Sequence, residues 1–124
     1  MNGGTDSAGA SAGAGRWARA ARLVLLLGED ERWRHGPLYH EIVRRARDSG
    51  LAGASVWRGV EGYGASSRIH TTRLLDLAEQ LPMMVMIIDD ADRLRGFVDD
   101  NSELFATVAV TLSDVEVWQP EASR

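Results

Sequence analysis

The sequence predicts an α+β fold in which two helices cover one face of a small antiparallel sheet. Short apolar runs bounded by turn residues alternate with two segments whose apolar residues recur at helical spacing. The chain has 124 residues, which is the usual length of one domain, and 44% of them are apolar, enough to bury a core. We therefore expect a single domain.

The N-terminal segment predicts a tail without regular structure. It is rich in Gly, Ala and Ser and, between Met1 and Arg16, carries no large apolar side chain. Such a segment cannot offset its ordering entropy by burial. We predict a disordered tail over residues 1–18 and a folded domain over residues 19–120.

The first half of the domain predicts a strand, a helix and a second strand. The segment Ala21–Leu27, whose last five residues are all apolar, is typical of a buried strand and ends at Gly28. Pro37 fits the start of a helix, where a missing N–H costs nothing, and Gly50 fits the left-handed position that ends one. The alternating segment Ala54–Val60 predicts the next strand. The apolar face of the helix comprises Leu38, Ile42, Val43 and Ala46.

The second half repeats this order after a loop rich in Gly and Ser. Residues 69–80 fit either an extended segment or a short helix, which Pro82 ends. Met83–Ile88 predicts a buried strand, and Asp89 or Asp90 is expected to cap a second helix. The apolar face of this second helix comprises Leu94, Phe97 and Val98. Two short final strands are predicted at Thr107–Val110 and Val115–Trp118, and a turn at Ser113-Asp114 joins them.

Two successive βαβ units predict a ferredoxin-like βαββαβ sandwich, here with an extra C-terminal strand. In this architecture both helices lie on one face of the sheet, so nothing in the chain covers the other face. An uncovered apolar face usually marks an interface, and we therefore expect self-association. The residues that predict apolar character on both faces are Trp57, Met83, Met84, Val85 and Met86.

Composition excludes several classes of protein. The net charge is −4, whereas a domain that binds nucleic acid is usually basic. There is no cysteine, which excludes disulfides and thiolate sites and is compatible with a reducing cytoplasm. The longest apolar runs, residues 23–27 and 81–88, are far shorter than the roughly 20 residues of a membrane-spanning helix. No signal peptide is evident, so we expect a cytoplasmic protein without membrane insertion.

The charges are unevenly distributed along the chain. Residues 1–60 carry nine Arg and six acidic residues, whereas residues 61–124 carry five Arg and twelve acidic residues. The asymmetry suits complementary contacts between subunits, and an ordinary solvated surface explains it equally well.

A segment rich in Gly, Ser and Arg is the candidate binding site. Exposed backbone N–H groups of glycines can approach an anion, and Arg and hydroxyl side chains suit phosphate or carboxylate. A glycine-rich bend leaving a strand, followed by a mobile polar loop, is the alternative. The predicted ligand-binding residues are Gly59, Gly62, Gly64, Ser66, Ser67, Arg68 and His70.

The sequence contains no recognisable catalytic set, and we predict no catalytic residues, no cofactor and no metal site. His70 has no evident partner at the spacing of a catalytic pair or a metal site. Glu29, Asp30 and Glu31 could hold a hard cation. They are better explained as partners of the nearby helix N-terminus and of Arg32 and Arg34.

The chain resembles the domain-of-unknown-function family 190 (DUF190) from about Arg22 to Trp118. The matching segments are Gly28–Asp30, Arg32–Trp33, Gly36–Tyr39, Gly50–Ala54, Arg58–Gly59, Gly62–Ser67, Ile69–Thr71 and Leu81–Pro82. The resemblance implies a ferredoxin-like domain similar to PII signal-transduction proteins, commonly trimeric and without an established activity.

Proteins similar to PII bind adenine nucleotides between subunits and contact partners through the loop after the second strand. By this resemblance Gly59–Arg73 corresponds to that loop. PII proteins also hold phosphates with a glycine-rich, lysine-containing loop before the fourth strand. The segment here, Asp99–Leu104, is acidic and lacks glycine, so a triphosphate bound there would meet repulsion.

The leading functional hypothesis is a homotrimeric, PII-like regulatory protein that senses an anionic small molecule or nucleotide at subunit interfaces. The alternative is an oligomeric protein-interaction module without a small-molecule ligand. An enzyme using His70 with Glu29 and Asp30 is a weaker third option. The partner-contacting residues of the loop are predicted to be Tyr63, Ile69, Thr71 and Arg73.

Overall fold

The protein is described by a computed structural model, which covers residues 14–64, 69–71 and 81–121. Its centre is a four-stranded antiparallel sheet in the order β4–β7–β1–β8. The elements are β1 Arg16–Gly28, β2 Arg32–Trp33, β3 Gly36–Pro37, α1 Leu38–Asp48, β4 Ala54–Arg58, β5 Glu61–Gly62, β6 His70–Thr71, β7 Pro82–Asp89, α2 Ala91–Asp100, a 3-10 turn Ser102–Phe105 and β8 Ala109–Gln119.

The four long strands and two helices follow the order βαββαβ, with β1–α1–β4 and β7–α2–β8 as the two units. The predicted ferredoxin-like fold class is therefore confirmed. Neither helix of the described residues combines the length and the hydropathy of a segment that crosses a membrane.

The core lies between the sheet and the two helices. Alternate residues of β1 and β7 point into it, as the period of two in a strand requires. Leu25 pairs with Val85 and Leu23 with Ile87, and all four side chains are fully buried. The helices contribute a second layer of buried side chains, chiefly Leu38, Ile42, Ala46, Leu94 and Phe97.

Both ends of α1 are where the sequence predicts them. The helix follows Pro37, and after Ser49 the chain turns at Gly50, whose φ is +80°. The N–H of Leu51 bonds to the carbonyl of Ala46, and that of Gly50 to the carbonyl of Arg47. These two bonds form a Schellman motif, which satisfies the last carbonyls of the helix and favours glycine in the left-handed position.

The start of α2 differs from the expected side-chain cap. Asp90 occupies the N-cap position but its side chain makes no capping hydrogen bond. Its carbonyl accepts the N–H of Leu94, as the first helical bond. The carboxylate of Asp89 accepts the N–H of Ala52 and bonds to Arg93 instead. This aspartate therefore joins the start of α2 to the loop after α1.

The final two strands were predicted wrongly, because residues 109–119 form one continuous strand. Ser113 and Asp114 pair with Arg22 and Ala21 in the middle of the ladder and form no turn. The reason is that β1 begins at Arg16, so its first residues provide partners for the second half of β8. The predicted tail thus loses residues 16–18 to β1, whereas residues 1–13 lie outside the described part of the chain.

The face of the sheet opposite the helices is apolar and uncovered within one chain. Leu26 and Trp57 are cross-strand partners of Met84 on its two sides, and about half of each side chain is exposed. Met83 and Val85 point to the helices instead. We call this surface the uncovered face; its apolar members include Val24, Leu26, Trp57, Met84, Met86 and Ile88.

Candidate functional site

The predicted site starts at the end of the sheet where β1 and β4 finish and β7 begins. The N–H of Gly59, just after β4, donates to the carbonyl of Pro82 at 2.7 Å. The N–H of Glu29, just after β1, donates to the carbonyl of Leu81 at 2.8 Å. The chain therefore leaves β4 and returns to β7 at one place, and the long loop between them is closed at its base.

A short hairpin brings two predicted ligand-binding residues together. In the ladder of β5 and β6, Gly62 pairs with His70 and Glu61 with Thr71. Residues eight positions apart in sequence are thus neighbours in space. We call residues 61–71 the site hairpin. Of its members, Ser66, Ser67 and Arg68 lie outside the described residues, as does Arg73 beyond it.

The glycines of the site differ in their surroundings. A Cβ atom built on Gly59 would lie 2.7 Å from the ring of Pro82, and one on Gly62 would lie 3.1 Å from it. These two glycines therefore allow a close approach of the chain to Pro82, and the N–H of Gly59 is already bonded. Gly64 has open space around it, so its backbone is accessible to a ligand.

Two apolar side chains of the site hairpin are exposed. Tyr63, which follows β5, is 70% exposed, and Ile69, which precedes β6, is 56% exposed. Both belong to the residues predicted to contact a partner. Val60, next to the hairpin, is also exposed. The described part of the hairpin thus offers apolar contact surface as well as an open backbone.

An ion pair at the base of the site hairpin was not predicted. Arg58, the last residue of β4, donates from Nη2 to Oε2 of Glu29 at 2.5 Å. Because β7 lies between β4 and β1, this bond passes over the start of β7. The sequence signal was an arginine at the end of a strand, directly before the glycine loop. Its partner, 29 residues away, becomes evident only from the order of the strands.

The acidic residues after β1 are engaged locally, which corrects the predicted roles. Glu31 accepts the N–H of Gly28 at 2.8 Å and a hydrogen bond from the hydroxyl of Thr107. Glu29 pairs with Arg58. These carboxylates therefore tie the end of β1 to β4 and to the segment before β8. Within the described ranges, no three His, Asp or Glu side chains lie close enough to hold a metal ion.

A second charged cluster joins α1 to the acidic segment 99–104. Arg45 of α1 bonds to Asn101, to Glu103 and to Glu41, and its guanidinium lies 5.5 Å from the ring centre of Trp33. The hydrogen bond from Arg45 holds the pKa of Glu103 below its ordinary value. In this segment Asp99 and Asp100 end α2, and Glu103 belongs to the 3-10 turn Ser102–Phe105, which Arg45 ties to α1.

Glu41 is the carboxylate most strongly affected by this cluster. It accepts hydrogen bonds from Arg44 at 2.6 Å and from Arg45 at 2.8 Å. Stabilised by these two bonds, the carboxylate has its pKa lowered from 4.5 to about 2. The cluster joins α1 to the 3-10 turn, and none of its members belongs to the predicted site.

Comparison with known proteins defines the family. The model of the DUF190 family, described as "Uncharacterized ACR, COG1993", matches residues 20–117. The chain belongs to the DUF190 family. Among curated relatives, a UPF0166 protein of Aquifex aeolicus strain VF5 is 35% identical over 95 residues, which are 77% of this chain and 90% of the relative. A second UPF0166 protein of the same organism is 27% identical over 79 residues. These relatives carry no named activity.

Solved structures similar to this DUF190 protein are PII-like. CPII, a nitrogen regulatory PII-like protein from Thiomonas intermedia K12, has a TM-score of 0.65 at 12% identity over 86% of this chain and 94% of its own. That structure is bound to ADP, AMP and bicarbonate. A PII-like signalling protein from Thermus thermophilus has a TM-score of 0.55 at 15% identity, over 84% and 92% of the two chains. The likeness confirms the PII-like fold.

Proposed function

We propose that this DUF190 protein is a PII-like regulatory protein that binds an anionic small molecule at its site hairpin. The observation that carries the proposal is the pairing of Gly62 with His70. This pairing brings the two ends of the Gly-, Ser- and Arg-rich segment together. The hydroxyl, guanidinium and backbone N–H groups that its sequence provides suit phosphate or carboxylate oxygens.

The fold relatives support the anionic class of ligand. CPII, which shares the fold, is bound to ADP, AMP and bicarbonate in its structure. All three are anions, although the low identity carries over no residue of that site. The acidic segment 99–104 disfavours a triphosphate, so the ligands to test first are ADP, AMP and bicarbonate. The role is binding rather than catalysis, in a cytoplasmic protein without cysteine.

We further propose that the protein is a homotrimer and that the ligand site lies at subunit interfaces. The uncovered face is the support, because apolar side chains such as Trp57 and Leu26 are about half exposed in one chain. Monomeric proteins rarely expose a contiguous apolar surface of this kind. Packing three such faces together removes them from water and leaves the helices outside.

Titration calorimetry with ADP, AMP and bicarbonate tests the ligand. We expect at least one of them to bind, and Arg68→Ala to weaken that binding about tenfold, as the loss of one charged hydrogen bond predicts. Arg47→Ala is the matched control, since Arg47 is exposed on α1, away from the hairpin. Absence of binding by the unmodified protein, for all three anions, would contradict the proposal.

A second candidate function is a protein-interaction module without a ligand. The exposure of Tyr63 and Ile69 favours it, because aromatic and aliphatic anchors dominate protein interfaces. The two functions differ in a thermal-shift screen. If no anion raises the melting temperature, and Tyr63→Ser with Ile69→Ser abolishes capture of a defined partner, the interaction module is the correct function.

A further inference from the structure

The side chain of Arg58 connects the ends of two strands that are not neighbours in the sheet. Its side chain reaches from the end of β4 across the first residue of β7 to Glu29, which follows β1. The guanidinium therefore lies over the end of the sheet, at the base of the site hairpin. It is still 56% exposed. Within the described residues only Nη2 has an acceptor on the protein, so the other N–H groups are available to a ligand.

Glu29 is the fixed member of this pair. Its side chain is only 13% exposed, and its Oε1 atom is buried without a hydrogen-bond partner in the described part of the chain. A side chain with so little exposed surface has few alternative positions, so its Oε2 atom stays where Arg58 can reach it. Glu29 therefore holds the guanidinium of Arg58 in place before any ligand arrives.

We propose that Arg58 binds an anion at the end of the sheet, beside Gly59, and that Glu29 is its positioning residue. This inference rests on the proposed function and names the group that contacts the ligand. Guanidinium is a planar fork of five N–H donors, so it can keep one bond to Glu29 and present another edge to an anion. A side chain that is already held loses little conformational entropy on binding.

The geometry also indicates the chemical class of the ligand. A guanidinium edge with two parallel N–H groups matches two oxygens of one carboxylate, carbonate or phosphate group. The ligand is therefore expected to present such a pair of oxygens to the end of the sheet. The negative charge of Glu29 offsets part of the attraction, so orientation of Arg58 matters more than its charge alone.

Variants of Arg58 test the assignment by calorimetric titration with ADP, AMP and bicarbonate. Arg58→Gln removes the cation, and we expect it to raise the Kd of the bound anion about tenfold or more. Arg58→Lys keeps the charge but loses the planar fork, and an intermediate loss is expected. Arg47→Gln, the matched control, is expected to leave the Kd unchanged. Circular dichroism and the melting temperature establish that each variant is folded.

The outcomes separate this inference from the proposed function. Binding by the unmodified protein together with unchanged Kd values for Arg58→Gln and Arg58→Lys would overturn the role of Arg58 and leave the proposed function intact. If the unmodified protein binds none of ADP, AMP and bicarbonate, the proposed function fails and the inference fails with it. Comparison of the nucleotides with bicarbonate shows whether phosphate or carbonate oxygens are preferred.

Variants of Glu29 distinguish a positioning role from an effect of its charge, because the two roles predict opposite changes in the Kd of the anion. Removing a negative charge beside an anion should tighten binding if Glu29 acts through its charge alone. We expect the opposite for Glu29→Ala, a several-fold weaker binding, because Arg58 then loses its anchor. Glu29→Gln keeps an acceptor oxygen and is expected to restore affinity to at least the original value. Equal or tighter binding by Glu29→Ala would overturn the positioning role.

Discussion

At the scale of single residues, the close approach of the chain to Pro82 explains two glycines of the site. Gly59 and Gly62 both lie so close to the ring of Pro82 that a Cβ atom on either residue would crowd the ring. The sequence predicted a glycine loop with accessible N–H groups, whereas Gly59 and Gly62 are needed for close packing against Pro82. Gly64 keeps the open surroundings that a ligand needs.

We predict that Gly59→Ala destabilises the protein. The added Cβ would lie 2.7 Å from Cγ and 3.3 Å from the carbonyl oxygen of Pro82, neither of which belongs to a flexible side chain. Overpacking of this kind costs about 1–3 kcal/mol in free energy of unfolding, measurable by urea denaturation. Gly53→Ala is the control, because nothing lies within 4 Å of a Cβ there. Equal stability of the two variants would contradict the packing explanation.

The lowered pKa of Glu41 predicts a pH-dependent stability. Its pKa is about 2 in the folded chain, against 4.5 for an ordinary glutamate. The carboxylate therefore contributes stability that is fully present above about pH 4.5 and is lost as pH falls toward 2. Glu41→Gln should lower the melting temperature at pH 7, with a difference that shrinks below pH 4.5.

Glu121→Gln provides the comparison for this pH series. Glu121 is exposed beyond the end of β8, and its substitution is expected to leave the melting temperature unchanged throughout. A difference between Glu41→Gln and the unmodified protein that stays constant from pH 7 to pH 2 would show that the ion pairs with Arg44 and Arg45 do not stabilise the fold.

At the scale of elements, α1 illustrates what local signals determine. Pro37 and Gly50 mark both of its ends in the sequence, and both positions are confirmed by the structure. Each signal acts through the backbone of its own residue, so no distant contact is needed to interpret it. Helix ends of this kind are therefore the most predictable part of the fold.

We predict opposite effects for two Gly→Ala substitutions in or beside helices. Gly50 has φ +80°, where a Cβ costs about 1 kcal/mol, so Gly50→Ala should lower the free energy of unfolding by that amount. Gly96 lies inside α2 with free space around it, so Gly96→Ala should raise it by about 0.5–1 kcal/mol. Urea denaturation measures both, and a change of the same sign for the two variants would be the contradicting result.

The final strand shows why other elements could not be predicted. Ser113-Asp114 has the composition of a turn, but these residues lie inside β8 because Ala21 and Arg22 of β1 pair with them. The same holds for Arg58 in the candidate site, whose partner Glu29 is brought near by the strand order. Pairings between distant segments are decided by the whole sheet, and no local pattern in the sequence records them.

At the scale of the whole molecule, the uncovered face connects the fold to the proposed function. The two helices shield only one face of the sheet, and the opposite face carries Trp57, Leu26 and Met84 in direct cross-strand contact. Burial of this surface contributes on the order of 25 cal/mol per Å² of apolar area. In the proposed trimer, copies of the same chain supply the cover that the single chain lacks, and clefts between the copies bring neighbouring chains to the site hairpins.

Multi-angle light scattering of the purified protein at micromolar concentration tests this assembly most directly. The mass of one chain is 13.5 kDa, and we predict a particle of three chains that Leu26→Asp on the uncovered face dissociates. Arg47→Glu on the exposed surface of α1 should leave the particle intact. A stable, folded particle of 13.5 kDa for the unmodified protein would contradict the account.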